Sequence, residues 1–138
     1  MWKYEELMIK YGKEIYIKET DKLPEFQPGK CLAGLVYIDK DLSPYKKHEV
    51  LAEEIAHHLI THGNILDQTV LLNRRFEGYA RRLSIKMIVP KKEIYELMYQ
   101  GIYSIHEMAN YFEVTEEFML DAHNYYRVKA GISLLPSC

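Results

Sequence analysis

Nine residues near the middle of the chain, Leu51-Ala52-Glu53-Glu54-Ile55-Ala56-His57-His58-Leu59, restrict its fold and chemistry more than any other stretch. Val50, Leu51, Ile55 and Leu59 recur at helical spacing, so this segment is a helix with an apolar face. Two carboxylates and two imidazoles share that helix, and burying such groups without partners is costly. At 3.6 residues per turn Glu53 and His57 project from nearly the same side and can hold one metal ion between them. Glu54 sits about 100° around from Glu53, the offset of the general-base Glu in H-E-x-x-H sites. A second face, Glu54, His58 and His62, has the same four-residue spacing, and spacing alone does not choose between them. A helix with these residues also serves as a simple Glu–His hydrogen-bonded pair, with His48, His58 and His62 at the surface.

The surrounding chain reads as a framework for that helix. Ser43-Pro44 starts it, since Ser caps a free N–H and Pro suits the first helical position, and Gly63 stops it. Tyr4, Leu7, Met8 and Tyr11 predict an amphipathic helix over 2–12, and two β-rich segments, 14–18 and 31–39, predict a small antiparallel sheet. Beyond the loop 64–68, a helix runs over 70–89 to Pro90 with Gly78 as its weak point, and 91–99 forms a short helix. Ser104-Ile105-His106-Glu107 carries the capping pattern of a helix reaching about Phe112, and a last helix occupies 116–128. The fold class is α+β, mainly helical, within a single domain of 138 residues. Of the twelve tyrosines, Tyr95, Tyr99, Tyr103, Tyr111, Tyr125 and Tyr126 crowd the C-terminal third and are expected in the core with hydroxyls outward.

Charge and leader signals exclude several classes. A formal net charge of -2 gives no broad reason to bind nucleic acid. The local cluster Arg74, Arg75, Arg81, Arg82 reads as a solvated helix face. The first eleven residues lack the apolar run of a signal peptide, and the run 31–38 is far too short to cross a bilayer. Cys31 and Cys138 make no disulfide framework. A cytoplasmic, unexported protein is expected.

The central helix, together with Glu77-Gly78-Tyr79-Ala80 on the next helix, Lys86-Met87-Ile88-Val89-Pro90 at its end, and the segment Ile105 to Val114, resembles the ImmA/IrrE family of metallo-endopeptidases over most of the chain. The resemblance implies a zincin-like domain with a C-terminal helix pair. It implies His57 and Glu77 as metal ligands, Glu54 as the catalytic base, and Zn²⁺ as the cofactor. It also implies a cytoplasmic helix-turn-helix repressor of a prophage or mobile element as substrate, with no membrane partner. Glu53 occupies the first ligand position, where the family has His. A site of Glu53, His57 and Glu77 cancels the charge of a divalent ion with two carboxylates, and its harder oxygens admit Mn²⁺ or Fe²⁺. The same departure motivates a second reading, a non-catalytic repressor-binding module with a degenerate site. A third, DNA binding by the last two helices, is opposed by Glu116, Glu117 and Asp121 near the start of the final helix.

Overall fold

The computed structural model of the chain describes residues 1–24, 27–32, 34–62 and 74–130, excepting the side chains of residues 32, 62, 74–77, 129 and 130. In chain order the elements are α1 (Lys3–Tyr11), β1 (Tyr16–Thr20), β2 (Gly29–Leu32), β3 (Leu35–Asp39), α2 (Pro44–His62), α3 (Arg74–Ile88), α4 (Lys91–Tyr99), α5 (Ile105–Phe112) and α6 (Glu116–Ala130). Helices dominate and pack around one small sheet, the α+β arrangement expected from the sequence.

The sheet corrects one expectation. It is mixed, ordered β1-β3-β2, with β1 parallel and β2 antiparallel to β3. Residues 31–39, which read as one strand, hold the end of β2, a reversal and all of β3. Gly34, at φ 83°, makes the reversal in a backbone conformation that L side chains seldom adopt. Because apolar residues continue on both sides of it, no polar turn cluster marks the break. Val36 and Ile38 are fully buried, whereas β1 exposes Tyr16. The apolar β3 therefore takes the centre and the other two strands become edges.

α2 is the axis of the fold. Ser43 Oγ accepts a hydrogen bond from the Lys46 N–H at 3.2 Å, the cap read from the sequence. Leu51, Ile55 and the β3 residues Val36 and Ile38 join Met108, Phe112, Phe118 and Met119 in one core. α3 runs antiparallel to α2: Arg81 meets Glu53, Ala80 packs with Ala56 and Ile60, and Met87 and Ile88 line a small cavity with His48.

The α5–α6 turn is fastened to α2 by polar groups that the sequence did not single out. Glu49, 1% exposed, accepts from the Thr115 N–H at 3.0 Å and from Thr115 Oγ1 at 2.9 Å, and pairs with Lys46 Nζ at 3.0 Å. His48 Nδ1 lies 2.9 Å from the Glu113 carbonyl and donates to it. His48 is thus buried, against its expected surface position, because the turn supplies an acceptor above it. The Ser104 half of the cap forms as read, accepting from the Glu107 N–H at 3.0 Å, while the Glu107 carboxylate accepts from the Ser104 hydroxyl at 3.1 Å. The tyrosines depart from expectation. Tyr95, Tyr99, Tyr103 and Tyr111 are exposed, while Tyr126 is buried with its hydroxyl turned inward to the Val89 carbonyl at 2.7 Å. α4 and α5 bury Ile94, Leu97, Met108 and Phe112 instead, which directs Tyr95, Tyr99 and Tyr111 toward solvent, and Tyr103 lies in the connection between the two helices.

Candidate active site

The helical register of α2 turns Val50, Leu51 and Ile55 into the core and leaves Glu53, Glu54 and His57 along the flank that meets α3 and β2. Glu54 is nearly buried, and its Oε2 lies 3.4 Å from His57 Nδ1, within ion-pair range. The structure therefore brings together the expected base and one expected ligand. Neither side chain is fully enclosed, so the pair is reachable from solvent.

β2 covers Glu54 at close range. A Cβ built on Gly29 would stand 2.6 Å from Val50 Cγ1 and 3.1 Å from Glu54 Cγ, so only glycine permits this approach. Cys31, two residues along the same strand, has its thiol pushed up by burial and by the nearby Glu54 charge. β2 is a terminal strand of the sheet, and at Gly29 its face packs on Val50 and Glu54.

Glu53 follows a different course. Its Oε1 accepts from Arg81 Nη1 at 2.8 Å, and Arg81 Nη2 donates to Asp121 Oδ2 at 2.8 Å, joining α2, α3 and α6. The Arg81 guanidinium carbon also lies 4.5 Å from the Phe118 ring centroid. Burial opposes the charge on Arg81, but the hydrogen bonds and charges of Asp121 and Glu53 outweigh it and raise the pKa above its ordinary value. Arg81 is the functional-site residue that sequence reasoning missed. It read only as part of a solvated basic helix face, and no local pattern signals a partner on another helix. Of the basic cluster, Arg82 is exposed beside the Tyr79 ring, and the side chains of Arg74 and Arg75 lie outside the described residues.

Glu77 belongs to α3, and its side chain lies outside the described residues, as does that of His62. The antiparallel register sets the α3 backbone at 77 one turn before the Arg81–Glu53 contact, level with His57. Among the described residues no three His, Cys, Asp or Glu side chains converge on one point. The donors at this place, an imidazole and carboxylates, fit a divalent ion in kind: zinc accepts both, and oxygen donors also suit manganese and iron. His58, on the rival face, is half-buried. Among the described residues no helix is long and apolar enough to cross a membrane.

Residues 7–122 match the family model of the IrrE N-terminal-like domain, Peptidase_M78. A solved structure described as a Mycobacterium tuberculosis transcriptional regulator superposes with a TM-score of 0.61 at 19% identity, over 84% of this chain. This chain spans 38% of the length of that protein, and the likeness concerns the fold. No curated protein matches in sequence.

Proposed function

We propose that this chain, which belongs to the Peptidase_M78 family of IrrE N-terminal-like domains, is a single-domain, metal-dependent endopeptidase of the cytoplasm that cleaves a helix-turn-helix repressor of a prophage or mobile element. The observation that carries this reading is the Glu54–His57 pair, held 3.4 Å apart with Glu54 packed under Gly29 of β2. Glu53, His57 and Glu77 would hold a zinc ion, or manganese or iron. Such an ion, when bound, supplies Lewis-acid polarisation of the scissile carbonyl and lowers the pKa of water.

The remaining work falls to the protein's own side chains and backbone. Glu54 takes a proton as the base and returns it to the leaving amine, and its partial burial strengthens its interactions with charges beside it. The outer edge of β2 offers backbone hydrogen bonds to an extended peptide, which lays a scissile bond near Glu54. Repressors of this class come into the proposal from the family resemblance, and the regulator title of the solved relative agrees with it.

Glu54→Gln keeps the size and polarity of the side chain but removes the base. It is expected to abolish fragmentation of the repressor, followed by mass spectrometry, while bound metal stays near wild-type level. Normal cleavage by Glu54→Gln overturns the mechanism. The Arg81 hydrogen bond to Glu53 favours a second reading, a repressor-binding module without catalysis. That reading requires complex formation with the repressor intact, equally in wild type and Glu54→Gln.

A further inference from the structure

We propose that Arg81 is a positioning residue whose fixed positive charge sets the affinity of this site for divalent ions, by offsetting the carboxylate that Glu53 introduces. The inference rests on the metal-dependent reading of the site. A neutral imidazole at position 53 would leave an ion's charge untouched, whereas a carboxylate subtracts one unit. Arg81 returns that unit at 2.8 Å from Glu53 Oε1. A carboxylate bonded through one oxygen still ligates through the other, and such outer hydrogen bonds orient ligating carboxylates in metal sites generally.

The guanidinium is held from three directions, by Glu53 on α2, by Asp121 on α6 and by the face of the fully buried Phe118. An exposed arginine with one partner would swing in solvent and contribute little. Here two charge-assisted hydrogen bonds in a fork geometry that lysine cannot reproduce fix both position and orientation. Asp121 draws back part of the compensation. It is about half exposed and on the far side of the guanidinium, so water screens it more than Glu53.

This arrangement gives two substitutions opposite signs. Arg81→Gln removes a positive charge near the ion and is expected to tighten zinc binding on the order of tenfold, the effect of a unit charge a few ångströms from a divalent ion in a water-like medium. Asp121→Asn frees more of the Arg81 charge and is expected to weaken zinc several-fold. Arg81→Lys keeps the charge but not the two-bond fork that fixes it, and should fall between wild type and Arg81→Gln. A purely structural tie between α3 and α6 would instead loosen the site in both Arg81→Gln and Asp121→Asn, lowering affinity in each.

Titrate the wild-type chain and the three variants with zinc, and separately with manganese, against a chelating dye, with circular dichroism to verify folding. Tighter binding by Arg81→Gln and weaker binding by Asp121→Asn supports the role of Arg81. Equal affinities, or a fall in both variants, overturns it. The wild-type affinity by itself tests the underlying reading: absence of binding in wild type with binding in Arg81→Gln refutes the native metalloenzyme while the role of Arg81 stands. No binding by any of the four refutes both.

Discussion

Replacing Gly29 by alanine puts a methyl group into the narrowest gap between the sheet and α2. The added Cβ would stand 2.6 Å from Val50 Cγ1, 3.1 Å from Glu54 Cγ and 3.3 Å from the Tyr37 carbonyl oxygen. Val50 is buried, and a β-branched side chain on a helix has essentially one rotamer, so it cannot swing aside. The Tyr37 oxygen is backbone within β3. Only the Glu54 stem can rotate, and rotation withdraws its carboxylate from His57. Overpacking of this kind costs about 1–3 kcal/mol. The reduced backbone freedom of the unfolded chain returns about 0.4–1 kcal/mol. A net loss of about 1–2 kcal/mol lowers the melting temperature by several degrees, on the scale of about 3–8 °C for a chain this size. Thermal and urea denaturation of Gly29→Ala, Val50→Ala and the double variant measure it. Because Val50→Ala opens the space that the new methyl needs, the double variant should lose less than the two single losses added together. A Gly29→Ala protein as stable as wild type would refute the close approach of β2 to Glu54.

Other substitutions probe the frame. Glu49→Ala strands the Thr115 N–H and hydroxyl and should destabilise by about 2–3 kcal/mol in urea unfolding, with Glu49→Gln losing less because it keeps an acceptor. His48 has its pKa lowered from 6.5, chiefly by burial and in spite of its bond to the Glu113 carbonyl. The unfolded chain therefore takes up this proton first as the pH falls. The stability that neutral His48 contributes is complete above 6.5 and is lost below it, through the folded-state pKa. His48→Gln should flatten that acid slope in urea titrations, leaving the part due to His123, whose pKa is lowered in the same direction by burial and then by Arg127. A chelator should halt repressor cleavage by the wild-type protein, and added zinc or manganese should restore it.

What could be read from the sequence was whatever local chemistry writes into it. The Ser43 and Ser104 caps, the stop at Pro90 and the helical spacing of Val50, Leu51 and Ile55 are all set within a few residues, whereas the pairing of His57 with Glu54, and of Glu53 with Arg81, was not read from spacing. The mixed sheet was hidden because β1 pairs in parallel with the more distant β3, while β2 and β3 pair locally across Gly34, which reverses the chain inside an apolar run. Glu49 was not singled out, and His48 read as a surface residue, because their partners, Thr115 and Glu113, lie more than sixty positions downstream. The Arg81 bridge was illegible for the same reason: Glu53 and Asp121 flank it from other helices. The ligand role expected of Glu77 falls on a side chain outside the described residues.

The central claim is that α2 and α3 hold a divalent ion despite a glutamate at the first ligand position. Metal content by mass spectrometry, on protein purified without chelator or a histidine tag, tests it most directly when wild type is compared with His57→Ala, Glu77→Gln and His62→Ala. The account expects near-stoichiometric zinc, manganese or iron in wild type, lost with His57 or Glu77 and kept with His62. Loss with His62 alone would move the site to the rival face of α2. Wild-type protein that holds no metal, even after zinc or manganese is added back, would contradict the account and leave a binding module on this fold.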